Sequence, residues 1–146
     1  MPTDPFCSEE AISRTRYFRS SFFYVLYDIN PVLPGHSLIV PKRHVPDFVL
    51  LEKDELLDLH AVARKVIPKL VETYGQEGSY NFTAQIGVYS GHHLDHLHFH
   101  VLPRSKNDMF QHGERIYDHI GTASKAAAGN VGKEVARLRE IFKYEG

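Results

Sequence analysis

The chain is 146 residues long, 42% hydrophobic and 24% charged, which suits one ordinary domain with a buried core and excludes wholesale disorder. Seventeen Lys and Arg against eighteen Asp and Glu leave a formal net charge of −1, which argues against a general nucleic-acid or anionic-membrane binder. Cys7 is the only cysteine, Phe22–Tyr27 is the longest apolar run, and Met1–Arg19 has no apolar signal region; a disulfide scaffold, a membrane span and a secretory leader are all unexpected, and a cytoplasmic or nuclear protein is the default.

Met1–Arg19 carries two prolines and few large aliphatics and reads as a loosely ordered lead-in. Ser21–Asp28 is rich in aromatic and β-branched residues and reads as a strand. Pro34-Gly35 signals a turn, and His36–Val40 is the next strand, with Pro41 at its end. These two strands are expected to pair antiparallel. Asp54–Tyr74 has helical spacing through Leu56, Leu57, Leu59, Ala63, Val66, Ile67, Leu70 and Val71, with Asp54 as N-cap and Gly75 as stop. Pro68 should kink or split it. Tyr80–Ile86 and Leu97–Leu102 are two further strands joined by a Gly/Ser/His-rich loop at Gly87–Asp95. Ser105–Asn130 is mostly polar and expected to be mobile, and Val131–Tyr144 returns to helical spacing. The order β-β-α-β-β-α predicts a single α+β domain, residues 1–146, with an antiparallel sheet.

Ten histidines stand in the chain, and five of them (His92, His93, His96, His98 and His100) fall within nine residues. In an extended segment, period two sends His96, His98 and His100 to one face and Leu97, Phe99 and Val101 to the other. The apolar face is expected to pack on a helix, and the imidazoles need a polar partner. A single metal fits that row poorly, because His96 and His100 would lie about 13 Å apart at Cα while a Zn–N bond is about 2.1 Å. A phosphate group, with several acceptor oxygens, suits the row better. The middle ring, His98, would then face phosphorus as a nucleophile, and its neighbours would donate to oxygens.

The segment His96-Leu-His-Phe-His-Val-Leu-Pro-Arg104, together with Asp28-Ile-Asn-Pro-Val-Leu-Pro-Gly-His36-Ser-Leu-Ile-Val-Pro-Lys-Arg-His44, resembles the two signature blocks of the histidine triad (HIT) nucleotide hydrolases and transferases. The resemblance implies a five-stranded antiparallel sheet, of which four strands are readable, extended across a homodimer. It implies His98 as nucleophile toward an α-phosphate, forming a covalent nucleotidyl-histidine that water hydrolyses. His96 and His100 match the flanking members that bind phosphate and orient the nucleophile, His36 a supporting histidine, and Asp28 the residue that bonds ribose hydroxyls. Gln85, eleven residues before His96, and Ile116-Tyr117 resemble the fragile-histidine-triad branch, which hydrolyses dinucleoside polyphosphates such as diadenosine triphosphate. The implied nucleotide-binding set is Asp28, Gln85, Gly91, His92, His93, Leu94 and His100.

Where the family carries Gly-Gln-Ser/Thr, this chain has Gly91-His92-His93; either His92 replaces the amide as a donor, or the loop has drifted. Many relatives bind zinc through Cys-x-x-Cys near the amino terminus; the corresponding pair here is Asp4-Pro-Phe-Cys7. A residual site at Asp4, Cys7 and His44 competes with a free buried thiol, and the expectation is no protein-bound metal and no tightly held cofactor, with Mg²⁺ riding on substrate phosphates. Lys42 and Arg43 are either a basic rim for polyphosphate or solvated surface charge, and Phe6, Phe22, Phe23 and Leu26 are core candidates of which one would line an adenine pocket. The alternatives in function are a purine nucleoside phosphoramidase, a nucleotide-binding signalling module with incidental turnover, and a zinc-binding structural protein.

Overall fold

The computed structural model describes residues 4–91, 94–106, 108, 120 and 129–145. The expectations for Met1–Thr3, for His92 and His93, for Ile116-Tyr117 and for most of 105–130 lie outside the described residues.

Five strands form one antiparallel sheet: β1 Arg16–Arg19, β2 Phe23–Tyr27, β3 Ser37–Pro41, β4 Tyr80–Thr83 and β5 Phe99–Pro103, in the order β1-β2-β3-β5-β4. β2 and β3 pair over five residues, from Phe23 opposite Pro41 to Tyr27 opposite Ser37. β3 also pairs with β5, Leu38 opposite His100, which brings the two signature segments side by side at the centre of the sheet.

Among the described residues three α-helices accompany the sheet: α1 Glu9–Thr15, α2 Lys53–Tyr74 and α3 Val131–Ile141. One face of the sheet, with Tyr17, Val25, Ile39, Phe99 and Val101, packs against Leu59, Val66 and Leu70 of α2 and Val135 and Leu138 of α3. The opposite face presents Leu26, Leu38 and Val40 to Phe6 and Ile12. The expected division of the histidine segment therefore holds: Leu97, Phe99 and Val101 join the helix-covered core, and the imidazoles lie on the other side.

Four local expectations need correction. The lead-in is ordered from Asp4 onward: a 3₁₀ turn at Pro5–Cys7, then α1, then β1. Asp4 accepts from the Phe6 amide at 2.9 Å and Ser8 from the Ala11 amide at 3.3 Å, so two side chains satisfy amides that start each turn. Burial of Phe6, Ile12 and Tyr17 then holds the segment on the sheet. Secondly, α2 runs unbroken through Pro68, which is exposed, so the Arg64 carbonyl it leaves unbonded can turn to water. Its N-cap is Glu52, in a reciprocal capping box with Glu55, two residues earlier than the expected Asp54. Thirdly, Tyr80–Ile86 is a strand only as far as Thr83. Fourthly, His96 and His98 precede the strand, which begins at Phe99, although the inward–outward alternation already holds from Leu97. Among the described residues no helix is long and apolar enough to cross a membrane.

Gly35 closes the loop between β2 and β3. Its φ is +88°, its amide donates to Tyr27 Oη at 2.8 Å, and an added Cβ would sit 2.6 Å from Tyr74 Cδ2. Left-handed backbone and lack of space both demand glycine there. Gly35→Ala is expected to cost about 2 kcal/mol in urea unfolding, because the loop cannot shift without disturbing Asp28 and His36 at its two ends.

Candidate active site

The turn between β2 and β3 is held by its own histidine. The Val32 amide donates to His36 Nδ1 at 3.0 Å, which leaves the ring's proton on Nε2. That nitrogen lies 2.9 Å from His100 Nδ1 and 3.3 Å from Asp28 Oδ2. Its N–H is thus directed at both, and His100, accepting at Nδ1, carries its own proton on Nε2. A proton-donating edge is thereby built at His100 from a backbone amide two hydrogen bonds away.

His98 is set the opposite way. Its Nδ1 is 2.9 Å from the His96 carbonyl, which can only accept, so the proton sits on Nδ1 and the lone pair on Nε2. The two rings pack edge to face with centroids 5.0 Å apart. One donor and one lone pair thus stand next to each other, fixed by different backbone groups.

These rings line a cavity of about 170 Å³ whose other walls include Asp28, Leu94, Phe6 and Leu38. Asp28 is buried, and its Oδ1 accepts from the Asn30 amide at 2.8 Å. The apolar walls suit a flat base and the polar end a sugar phosphate. Of the adenine-pocket candidates, Phe6 and Leu26 line the cavity, whereas Phe23 is in the helix-side core and Phe22 is exposed.

The structure brings together His36, His98, His100, Asp28 and Leu94. His96 is placed differently: its ring does not line the cavity but turns to the Pro41 carbonyl and Asp4, and it meets His98 through its own carbonyl. Gln85 and Gly91 form an adjoining loop. Gln85 Nε2 donates to the Ser90 carbonyl at 3.2 Å, and among the described residues its buried Oε1 has no partner. Gly91, at φ +113°, leaves room for that amide, since a Cβ would lie 2.4 Å from Nε2. Ile12 and Thr15 of α1 also line the cavity; sequence reasoning missed them. Ser8 followed by Glu9-Glu10 was the available signal, an N-cap with acidic residues in the first helical turn.

Burial holds the His36 pKa below the ordinary 6.5, with the Asp28 carboxylate opposing and His98 adding to the shift. Folded protein therefore resists a proton that the unfolded chain accepts. Stability is expected to fall as pH drops through 6.5, and the decline should shrink in His36→Asn when unfolding midpoints are compared between pH 7.5 and 5.5.

Beside the cavity, Asp4 Oδ2, Cys7 Sγ, His44 Nδ1 and His96 Nδ1 all lie within 4.8 Å of one another. This adds His96 to the expected trio and contradicts a buried thiol, because Cys7 is exposed. The O, S, N, N donor set fits zinc, which would complete a four-ligand structural site. Desolvation works to raise the Asp4 pKa, but hydrogen bonds from His96, Cys7, the Phe6 amide and His44 outweigh it and hold the carboxyl at about 2. Desolvation and the Asp4 carboxylate together push the Cys7 thiol up. Arg43 does not reach the site: it makes two bonds to Glu55, at 2.7 and 3.1 Å, while Lys42 lies 5.2 Å over the Tyr24 ring.

The HIT domain family model matches residues 10–107. A Dictyostelium discoideum bis(5'-adenosyl)-triphosphatase is 33% identical over 128 residues, covering 87% of this chain and 85% of that one. An Arabidopsis thaliana bifunctional bis(5'-adenosyl)-triphosphatase/adenylylsulfatase is 36% identical over 77% of this chain, which spans only 61% of that protein. Among solved structures, Plasmodium falciparum diadenosine triphosphate hydrolase superposes with a TM-score of 0.70 at 18% identity, covering 89% of this chain and 77% of that one. The C. elegans NitFhit protein superposes at 0.69 with 26% identity, covering 88% of this chain and 27% of that one.

Proposed function

The chain belongs to the HIT-domain family, and on that premise we propose that it hydrolyses dinucleoside polyphosphates such as diadenosine triphosphate, with His98 as the nucleophile. The observation that carries this reading is the opposed protonation of two touching rings: His98 with its lone pair on Nε2, His100 with its proton there, both at the wall of one cavity. The relatives named as bis(5'-adenosyl)-triphosphatases support the substrate class.

In the proposed reaction His98 Nε2 forms a bond to the α-phosphorus as the P–O bond to the rest of the substrate breaks. His100 Nε2–H lies where a donor can meet a phosphate oxygen or the departing oxygen. Water then attacks the same phosphorus, releasing the nucleoside monophosphate and restoring His98. His36 keeps His100 in the donating tautomer, Asp28 accepts from ribose hydroxyls, and Gln85, with Gly91 beside it, offers its buried amide oxygen to the adjoining loop or substrate. Mg²⁺ is assigned to the substrate's phosphates.

A homodimer and a cytoplasmic or nuclear setting belong to the same reading. β4 is an edge strand, and Phe82, 40% exposed, packs on Phe99 as Phe48 does from the turn Phe48–Leu50, with Val49 and Leu50 exposed nearby in sequence. An apolar edge of this kind suits pairing with a second copy.

Hydrolysis of diadenosine triphosphate in ¹⁸O-water is the test. Expected products are adenosine monophosphate carrying the label and unlabelled adenosine diphosphate. Label in the diphosphate, or faster turnover of an adenosine phosphoramidate assayed alongside, would overturn the assignment.

A further inference from the structure

Three tyrosine and serine hydroxyls are buried at the end of the sheet where apolar groups would pack as well. Tyr17 and Ser37 are fully excluded from solvent and Tyr27 almost so. Tyr17 and Tyr27 belong to the core that meets α2 and α3. Hydroxyls persist in such surroundings when they find partners, and here the partners converge on one residue. Tyr17 Oη donates to Ser37 Oγ at 2.7 Å, Ser37 Oγ donates to the Gly35 carbonyl at 2.9 Å, and the Gly35 amide donates to Tyr27 Oη at 2.8 Å. Burial pushes both phenols up, so each stays a neutral hydroxyl.

Gly35 needs such restraint. Glycine has no side chain to limit its torsions, and the peptide planes on its two sides can turn separately. One plane carries the Gly35 N–H; the other carries the Gly35 carbonyl and the His36 N–H. Tyr27 holds the first, and Ser37, braced by Tyr17, holds the second. His36 starts on that second plane: its amide donates to the Leu33 carbonyl at 3.1 Å, and its ring joins the Val32 amide to His100. A plane that turned would carry the ring away from His100 Nδ1. His100 would then lose the bond that keeps its proton on Nε2.

We propose that Tyr17, Ser37 and Tyr27 are positioning residues for the reaction: their hydroxyls fix both peptide planes of Gly35 and so hold His36 against His100. They act through Gly35 and His36, not on the substrate. The inference deepens the hydrolase reading and rests on it, because the group finally held is His100, beside the nucleophile His98.

The test uses the full chain and reads each variant twice: by hydrolysis of diadenosine triphosphate, and by ¹⁵N–¹H spectra that show which nitrogen of each histidine ring carries the proton. Tyr27→Phe and Tyr17→Phe each remove one hydroxyl and keep the ring. Ser37→Thr and Ser37→Val match in volume, and only threonine keeps a hydroxyl. Tyr27→Phe and Ser37→Val are expected to lower kcat about tenfold, leave KM within about twofold, and populate both His100 tautomers. Tyr17→Phe should show a smaller fall, since Ser37 keeps its own bond to Gly35, and Ser37→Thr should stay near wild type. Variants that lose stability yet keep wild-type kcat and one His100 tautomer would reduce the hydroxyls to core packing and overturn the proposal. So would a fall in kcat with unchanged spectra, or a Ser37→Thr that behaves like Ser37→Val. The Ser37 pair decides if a phenylalanine variant fails to fold. Absence of hydrolysis by the wild-type chain would instead sink the hydrolase reading, and the tautomer spectra would still decide the positioning role.

Discussion

His98→Asn is expected to lower kcat for diadenosine triphosphate by about 10⁴-fold or more, with adenosine monophosphate still bound and the unfolding midpoint nearly unchanged. His98 is 3% exposed, and its Nδ1 donates to the His96 carbonyl. An asparagine amide can keep donating to that carbonyl while placing no nucleophilic nitrogen at the phosphorus. The loss should therefore fall on kcat, not on KM or folding. Single-turnover kinetics would check this; a residual rate within tenfold of wild type would mean that water attacks directly and that no nucleotidyl-histidine lies on the path.

The second large effect comes from the other face of the same segment. Phe99→Ala is expected to lower unfolding free energy by about 3–5 kcal/mol. Phe99 is 5% exposed, lies parallel to Phe82 at 5.3 Å with an interplanar angle of 3°, and meets Phe48 edge-on at 6.1 Å. Truncation leaves a void between β5, β4 and the turn before α2, where the Phe82 and Phe48 rings lose their partner. Folded domains hold only about 5–15 kcal/mol of stability, so activity at 37 °C should fall as well, though His98 and His100 are untouched. Urea titration reads the change as a shift in midpoint at constant slope. Phe82→Ala, at a position 40% exposed, should cost far less.

Much of this protein was legible in the chain itself. Alternation from His96 to Val101 separated imidazoles from apolar side chains because a pleated backbone admits only two faces. The strand-like segments Ser21–Asp28 and His36–Val40, separated by the turn signal Pro34-Gly35, put Asp28 and His36 at the two ends of one connection. The long amphipathic pattern from Leu59 to Val71 marked α2 for the same reason: its period was sustained for more than three turns.

Only the tertiary structure decided the rest. Phe6, Ile12 and Tyr17 are too widely spaced to advertise a helix and a strand; they become ordered because Phe6 and Ile12 cover the far face of the sheet while Tyr17, on β1, joins the helix-side core. Pro68 failed to break α2 because its missing bond faces water. Above all, the protonation pattern of the site depends on bonds between residues far apart in sequence, Val32 to His36, His36 to His100 and Asp4 to His96. Residue types and spacing name the groups that can carry a proton; which nitrogen carries it is set by what the fold places against the other one.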